Sequence, residues 1–368
     1  MRITKLVLRV MNMPLKEYFE TSFGREKDRE FIIVEAHGEG EIGYGEATVM
    51  HAPLYNEETL GTALHIIRDF LAPLVVGKDF AHPSDVAQVF KPIRRNNIAK
   101  AGVENAIWDL YAKTRQQSLA KVIGGVKTKI PVGVSIGIKE SIPELLKTIE
   151  KYLLQNYRRI KMKIKPGWDI ASVAAVRREF GDILLMADAN SAYTLADIPM
   201  LKRLDEFRLM MIEQPLGHDD IIDHGVLQKE LVTPICLDES IHNAEDARKA
   251  ISIGACRIIN IKLGRVGGHT EAIKIHDICR ANAIPVWCGG MLESGVGRLH
   301  NVAITTLPNF ILPGDTSGSD RYFDEDITDP TVTVDNEGYI HVSDEPGIGA
   351  QVNAEKFTVE KITIEAHN

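Results

Sequence analysis

The sequence predicts an α/β protein in which a parallel β/α barrel carries a smaller α+β domain. Three observations predict it: strand-like alternation near the N-terminus, regular strand–helix alternation from about Thr128, and five charged residues at a nearly constant interval. Those residues are Lys163, Asp188, Glu213, Asp238 and Lys262, separated by 25, 25, 25 and 24 residues. One strand and one helix need roughly that length, and barrel enzymes build their sites at the C-terminal ends of their strands.

Residues 1–125 are predicted to form the smaller domain. Arg2–Met11 has the pattern of a strand, and Glu30–His37 with Glu41–Ala47 has that of a hairpin. A helical spacing of apolar residues follows over residues 57–124. Strands followed by helices are typical of an α+β domain.

Residues 126–334 are predicted to form the barrel, because apolar strand-like runs alternate there with helical patterns. Two of the intervening helices begin with capping pairs, Ser141 with Glu144 and Asn243 with Asp246. The eight predicted strands are Ile130–Ile136, Arg159–Ile164, Ile183–Asp188, Leu209–Glu213, Ile235–Asp238, Arg257–Lys262, Pro285–Trp287 and Phe310–Pro313. Strand-like alternation returns in residues 335–368, which we expect to rejoin the N-terminal domain.

The composition is that of an ordinary globular protein, 44% hydrophobic and 26% charged. A net charge of −8 without a basic block argues against a nucleic-acid partner. No apolar run approaches the roughly 20 residues of a membrane span, and the first residues alternate like a strand rather than forming a signal peptide. The four cysteines show no CxxC pairing, so we expect buried free thiols and a cytoplasmic protein.

The charged residues at the strand ends suggest metal-assisted acid–base chemistry. Asp188, Glu213 and Asp238 offer only oxygen ligands, which suit Mg²⁺ or Mn²⁺ and leave positions for substrate oxygens. Because side chains alternate along a strand, three pairs can each face the barrel interior together. These pairs are Lys161 with Lys163, Asp188 with Asn190, and Asn260 with Lys262. Burying so many charges costs several kcal/mol unless they are paired or bind a cation.

The lysines are candidate bases. Burial, a neighbouring ammonium and a divalent cation all disfavour a charged lysine, so Lys161 and the metal are expected to lower the pKa of Lys163. A lysine tuned in this way can remove a proton α to a carboxylate. Lys163 and Lys262 come from opposite sides of the barrel and would address opposite faces of that carbon.

Taken singly, these residues have simpler interpretations. One aspartate at a strand end is more often a helix cap or a loop ion pair, and Lys161 to Lys165 could form a solvated strand edge. The pairs Gly267–Gly268 and Gly289–Gly290 are turn glycines by default, although such a pair can also bind an anion. Five groups in register at the functional end of the strands are hard to produce by chance.

At this point the chain resembles the enolase superfamily, in its muconate-lactonizing-enzyme-like subgroup. The resemblance covers essentially the whole chain and implies a (β/α)7β-type modified TIM barrel, an α+β capping domain and Mg²⁺. The matching motifs are Lys161-Met-Lys163, Asp188-Ala-Asn190, Glu213-Gln-Pro215, Asp238-Glu239-Ser240, Asn260-Ile-Lys262 and Gly289-Gly290-Met291-Leu292-Glu293-Ser294.

Within the subgroup the chain is most similar to the family of o-succinylbenzoate synthases and N-succinylamino acid racemases. Further matches are Thr21–Gly24, Pro53–Tyr55, Glu58-Thr59, Ser135 and Gly314–Ser317. The resemblance implies that Lys163 is the base and Lys262 its opposite-face partner, with Lys161 near the substrate carboxylate. The substrate-binding positions that it implies are Ser22, Phe23, Tyr55, Ser135, Asn190, Glu239, Arg265, Gly290, Met291, Leu292 and Glu293.

Two departures from the motifs of related families narrow the choice of activity. The histidine that mandelate-racemase-like members carry after the seventh strand is replaced here by Trp287-Cys-Gly-Gly-Met291, and the Asp-x-Asp of dipeptide epimerases is replaced by Asp315-Thr-Ser317. The second departure argues against a substrate with a free α-amine. Arg265 resembles an arginine of racemase-competent members, but a loop ion pair explains it equally well.

The resemblance therefore implies syn-elimination of water from a cyclohexadiene carboxylate in menaquinone biosynthesis. Racemisation of N-succinylamino acids is the close alternative, and muconate-type cycloisomerisation a weaker one. A barrel retained only for binding is disfavoured, because no ligand or base is missing. Barrels of this kind often form homo-oligomers, so we expect one here, although the sequence does not fix the number of subunits.

Overall fold

The computed structural model describes residues 1–20 and 25–366. Ser22 and Phe23, with the rest of the Thr21–Gly24 motif, lie outside the described residues. The strands, numbered along the chain, are β1 (Lys5–Glu20), β2 (Arg25–Gly38), β3 (Glu41–Ala47), β4 (Lys129–Pro131), β5 (Gly133–Ile136), β6 (Arg159–Lys163), β7 (Leu185–Asp188), β8 (Ile212–Glu213), β9 (Ile235–Leu237), β10 (Ile258–Ile261), β11 (Val286–Cys288), β12 (Thr328–Asp329), β13 (Tyr339–His341), β14 (Gln351–Val352) and β15 (Thr358–Glu365).

The helices alternate with the barrel strands and cluster before them in the N-terminal part. They are α1 (Leu60–Ile66), α2 (Ala72–Val75), α3 (Ser84–Phe90), α4 (Asn97–Thr114), α5 (Leu119–Val122), α6 (Ile142–Leu154), α7 (Ile170–Phe180), α8 (Ile198–Leu201), α9 (Ile222–Glu230), α10 (Ala244–Ser252), α11 (Leu263–Val266), α12 (His269–Ala281) and α13 (Gly295–Thr305). The π-helical turn Ile67–Leu71 joins α1 to α2. Both predicted caps are present: the side chains of Ser141 and Asn243 accept from the backbone N–H of Glu144 and Asp246.

The N-terminal sheet is antiparallel, in the order β15-β1-β2-β3. Alternation along β2 divides its side chains between two cores: Ile32 and Val34 pack with the helices, whereas Phe31 and Ile33 join the larger core that includes the barrel. The sheet therefore lies between the N-terminal helices and the barrel. The predicted domain limits at residues 125 and 334 stay a prediction.

The second sheet is parallel and runs in chain order from β5 to β11. The predicted eighth strand over Phe310–Pro313 is wrong as a regular strand. That segment instead closes the barrel through two single bridges, Val286 with Phe310 and Val132 with Gly314. Pro313 has no N–H to donate, which prevents a continuous ladder.

The first predicted barrel strand, Ile130–Ile136, is divided in two. β4 pairs with β13 in a separate antiparallel ribbon, and only β5 joins the barrel sheet. The last strand, β15, pairs with β1. All four cysteines are free and buried, as expected. Among the described residues, no helix has the length and apolar character to cross a membrane.

Candidate active site

The five regularly spaced residues all lie at the C-terminal end of the barrel sheet. Lys163, Asp188 and Glu213 are the last residues of β6, β7 and β8, and Asp238 and Lys262 each follow the end of a strand by one residue. In the parallel register Lys163 lies opposite Asp188, and Asp188 lies opposite Glu213. All five side chains are buried. The structure thus brings the predicted group together.

Lysine ammonium groups lie between the carboxylates. Lys163 Nζ donates to Asp188 Oδ2 at 2.6 Å and also to Asn190 Oδ1. Lys161 Nζ lies 3.1 Å from Asp188 Oδ2 and 3.1 Å from Glu213 Oε2. The interpretation of Lys161 and Lys163 as a solvated strand edge is excluded, since both are buried.

Asp238 is the partner of the opposite lysine. Lys262 Nζ donates to Asp238 Oδ2 at 2.7 Å and to the hydroxyl of Tyr55 at 2.9 Å. Arg265 donates to Asp238 Oδ1 and to the carbonyl of Ile241. Tyr55 belongs to the N-terminal part of the chain, so that part reaches the candidate base directly.

The buried charges shift one another's pKa values. Burial and the neighbouring Asp188 raise the pKa of Glu213 well above its ordinary value. Burial acts in the same direction on Asp188, but Lys163 and Lys161 outweigh it and lower the pKa of that carboxyl. Burial, Asp238 and Asp188 raise the pKa of Glu239 to about 7. Asp188 and Glu213, at the ends of adjacent strands, thus differ strongly in proton affinity.

The pKa values of two lysines are shifted upwards. Burial lowers the pKa of Lys161, but Asp315, Glu213 and Asp188 outweigh it and raise that pKa well above its ordinary value. The pKa of Lys262 is also raised, because Asp238 outweighs burial. At both lysines the opposing carboxylates therefore outweigh burial.

The loops after the strands hold unusual backbone. Asn190, Gln214 and Leu292 have positive φ values of 42°, 35° and 58°, a conformation that side chains other than glycine rarely adopt. Such positions cluster at functional sites because the surrounding contacts impose them. Gln214 makes such a contact, because its Oε1 accepts from the backbone N–H of Asp238 at 3.0 Å. It thereby fixes the loop that carries the carboxylate.

A cavity opens above these residues, between the barrel and the N-terminal part. Most of the substrate-binding positions expected from the resemblance line it, together with three residues that were not expected there, Met50, Asp315 and Tyr322. The lining residues are Met50, Tyr55, Ser135, Lys161, Lys163, Asn190, Lys262, Gly290, Met291, Leu292, Asp315 and Tyr322.

Three expected substrate-binding residues are not part of this lining. Glu239 accepts from the amide of Asn190 at 2.9 Å, and Glu293 accepts from Asn301 at 2.8 Å. Arg265 is buried on Asp238. It forms an ion pair, as one interpretation expected, and its partner is a carboxylate of the site. All three support the site rather than face the cavity.

Residues from the N-terminal part hold the barrel loops in place. Arg29 donates to the carbonyls of Met291 and Leu292. The carboxylate of Glu46 accepts from the backbone N–H groups of Ser294 and Gly297 at the start of α13. Glu104 likewise accepts from those of His269 and Thr270 at the start of α12. A helix N-terminus stabilises a carboxylate, so these contacts fasten the two parts of the chain together.

Sequence reasoning missed Arg159 as a member of the site. It lies two residues before Lys161 on the same face of β6, fully buried, and bonds Asp315 at 2.8 Å. The period of two that paired Lys161 with Lys163 would have found it if extended by one step.

The residues present fit a divalent cation. Within residues 1–20 and 25–366, no three Asp, Glu, His or Cys side chains form a ready cation-binding group, because ammonium and guanidinium groups separate the carboxylates. Yet the donor set is all oxygen, and it comes from three neighbouring strands of the sheet. In addition, the buried Oε2 of Glu239 has no hydrogen-bond partner among the described residues.

Comparison with known proteins places the chain in a family. Residues 144–356 match the family described as Enolase C-terminal domain-like, and residues 3–124 match the N-terminal domain of mandelate racemase / muconate lactonizing enzyme. The chain belongs to this mandelate racemase / muconate lactonizing enzyme family of the enolase superfamily. The family resemblance and the fold class derived from the sequence are therefore confirmed.

Two relatives are similar over nearly the full length. The o-succinylbenzoate synthase of Geobacillus kaustophilus is 54% identical over 98% of this chain and 96% of its own. The N-succinylamino acid racemase of Thermus thermophilus is 46% identical over 99% of this chain and 98% of its own. The crystal structure of an enolase-superfamily member from Listeria innocua, 45% identical, superposes with a TM-score of 0.96 and covers 99% of both chains.

Proposed function

We propose that this protein is an o-succinylbenzoate synthase, which eliminates water from a cyclohexadiene carboxylate in menaquinone biosynthesis. The observation that carries the proposal is that Lys163 and Lys262 both line one cavity and come from β6 and the end of β10, on either side of the three strands that carry the carboxylates. The 54% identity to a synthase of that name supports it.

Lys163 would remove the proton α to the substrate carboxylate. Lys262, held charged by Asp238, would stabilise the negative charge that develops on the carboxylate oxygens from the other side. In a syn-elimination the hydroxyl group leaves from the face on which the proton was removed. The protonated Lys163 can therefore return its proton to the departing hydroxide, which leaves as water.

We propose Asp188, Glu213 and Asp238 as the residues that hold Mg²⁺, with Mn²⁺ as a substitute. When bound, the cation supplies positive charge for the substrate carboxylate. We further propose that the protein is cytoplasmic and forms a homo-oligomer. Asp315 supports a carboxylate substrate without a free α-amine, because Arg159 and Lys161 already occupy both of its oxygens.

A second activity, racemisation of N-succinylamino acids, is favoured by a specific observation. Both lysines line the cavity, and racemisation needs one base on each face of the α-carbon. The 46% identity to a racemase of that name supports this activity. It uses the same residues, so the two activities are not exclusive.

One experiment tests both proposals. The purified protein with Mg²⁺ is assayed spectrophotometrically for dehydration, and in parallel by ¹H NMR with N-succinylphenylalanine in D₂O. We expect dehydration together with exchange of the α-proton and loss of optical rotation. Dehydration alone would indicate a dedicated synthase, and racemisation alone would make the racemase the main function. The absence of both activities would contradict the proposed substrate class.

A further inference from the structure

Three cations lie on one face of β6. Arg159, Lys161 and Lys163 occupy alternate positions of the strand, and all three are buried. Burying an arginine costs several kcal/mol unless a partner compensates its charge. Lys163 is the proposed base and Lys161 borders the cavity, but Arg159 does not line the cavity and takes no part in the proposed reaction. Its position requires another explanation.

A single carboxylate joins Arg159 to Lys161. Asp315 Oδ1 accepts from Arg159 Nη2 at 2.8 Å, and Asp315 Oδ2 lies 2.8 Å from Lys161 Nζ. Both oxygens of Asp315 are therefore used. Burial acts to raise the pKa of Asp315, but Arg159 and Lys161 outweigh it and lower that pKa to about 2. The carboxylate thus stays charged throughout the range in which an enzyme is assayed.

Neighbouring residues hold Arg159 and Asp315 in this ion pair. The guanidinium of Arg159 also donates to the carbonyl of Pro313 at 3.0 Å and lies 5.0 Å from the centre of the Trp287 ring. A Cβ atom on Gly133 would come within 2.6 Å of the guanidinium carbon, so the glycine leaves the room that Arg159 occupies. The backbone N–H of Asp315 donates to the carbonyl of Cys288 at 2.8 Å. Asp315 is held from both its backbone and its side chain.

The contact with Asp315 differs from the other contacts of Lys161. Lys161 also contacts Asp188 and Glu213, which we propose as cation ligands. A cation on those carboxylates would compete with the ammonium group for their oxygens. Asp315 is not among the proposed ligands, so its contact with Lys161 does not depend on the metal.

We propose that Asp315, held in place by Arg159, is a positioning residue that fixes the Lys161 ammonium at the cavity wall, where it binds the substrate carboxylate. The trio carries one net positive charge, since Arg159 compensates the charge that Asp315 introduces. Without Arg159, the same carboxylate would neutralise Lys161. This inference rests on the proposed function, because it requires a carboxylate substrate.

The test compares Asp315→Asn with the wild type, using Asp320→Asn as a matched control whose side chain is exposed. For each protein, kcat and KM for dehydration are measured separately, with Mg²⁺ affinity and binding of N-succinylphenylalanine measured by calorimetry. We expect Asp315→Asn to raise KM and the dissociation constant of the ligand about tenfold, while Mg²⁺ affinity stays within about threefold. A role limited to stability would not separate ligand binding from metal binding in this way.

Arg159→Lys gives a graded second variant, because it keeps the charge but loses the two-pronged donor. We expect a smaller increase in KM, about threefold, with unchanged Mg²⁺ affinity. If Asp315→Asn does not fold, this variant carries the test. Wild-type KM and ligand affinity in the folded variants would overturn the inference, as would an equal loss of ligand and metal binding. A wild type that catalyses neither reaction would instead contradict the proposed function. In that case the inference would still be tested by comparing the ligand affinities of the variants with that of the wild type.

Discussion

Asp188 and Glu213 lie opposite one another in the register of β7 and β8, each as the last residue of its strand. Buried carboxylates on neighbouring strands repel each other, and the raised pKa of Glu213 follows from burial and from the charge of Asp188. They remain charged together only if positive charge lies between or beside them. Lys161 supplies such charge in the structure, and a divalent cation would supply more.

Metal removal should therefore abolish activity. We expect a chelator to eliminate dehydration, and Mg²⁺ or Mn²⁺ to restore it, because the ligands are all oxygen. Asp188→Asn should weaken Mg²⁺ binding at least tenfold, as measured by calorimetry. Asp182→Asn, at an exposed position just before β7, is the control and should bind as the wild type does. Full activity after exhaustive chelation would contradict the proposed site.

Lys163→Ala should remove the base. We expect dehydration to fall by at least about a thousandfold, within the range that general base catalysis contributes, while folding and Mg²⁺ affinity are retained. Rates, far-ultraviolet circular dichroism and calorimetry measure these quantities. Lys165→Ala is the matched control, since Lys165 is exposed at the end of the same run and should change activity less than twofold. Substantial activity in Lys163→Ala would show that the assigned mechanism is wrong.

Lys262→Arg should separate the two activities. A guanidinium keeps the positive charge beside Asp238 but cannot accept a proton at neutral pH. We expect racemisation of N-succinylphenylalanine to fall at least tenfold more than dehydration does. The two rates are measured on the same preparation, by polarimetry and by absorbance. Equal retention of both would exclude Lys262 as a second base.

Glu46 should make stability depend on pH. Burial outweighs the hydrogen bonds from Ser294 and Gly297, which favour the charged carboxylate, and raises the pKa of Glu46 from 4.5 to about 7 in the folded protein. Because the folded pKa exceeds the unfolded value, this group's contribution is fully present below pH 4.5 and is lost as the pH rises through about 7. Glu46→Gln lacks that titration, so the wild type should lose about 2 kcal/mol relative to the variant between pH 5 and pH 8.

Urea unfolding of both proteins at several pH values measures this difference. Glu179→Gln is the control, because Glu179 is exposed on α7, and its pH profile should follow that of the wild type. A constant difference between wild type and Glu46→Gln across the pH range would show that Glu46 does not titrate in this window.

Gly45→Ala should destabilise the packing of α4 on β3. A Cβ atom at Gly45 would lie 2.2 Å from the carbonyl oxygen of Gly102 and 2.5 Å from the backbone nitrogen of Ala106, so backbone atoms would have to shift. We expect a loss of about 2–4 kcal/mol or failure to fold. Gly61→Ala on α1 meets open space and should be neutral or stabilising by up to about 1 kcal/mol. A Gly45→Ala protein as stable as the wild type would contradict this packing.

The sequence predicted the residues whose position follows from local pattern. Asp188 and Glu213 each end an apolar run, and the regular interval indicated that the runs belong to one sheet. The prediction of the eighth strand was wrong because a four-residue apolar run that contains Pro313 carries little information about strand pairing. Ser22 and Phe23 lie outside the described residues, so their roles stay predictions.

Partnerships between distant residues could not be predicted in the same way. Glu46 and Ser294 are 248 residues apart, and no local pattern links them. Asp315 was noticed only as a family match, and its ion pair with Arg159 depends on how the barrel closes. The carboxylates that raise the pKa of Lys161 could not be predicted either, because the sequence does not give their distances from its ammonium group.

The carboxylates of Glu46 and Glu104 have a consequence for how this chain can diversify. Each completes the first turn of a barrel helix, so the two parts are not interchangeable modules. Grafting the N-terminal part of a relative with a different substrate would also replace the caps of α12 and α13. Productive recombination would therefore favour parents that keep an acidic residue at both positions, and new specificities would arise more readily by substitution along the cavity wall.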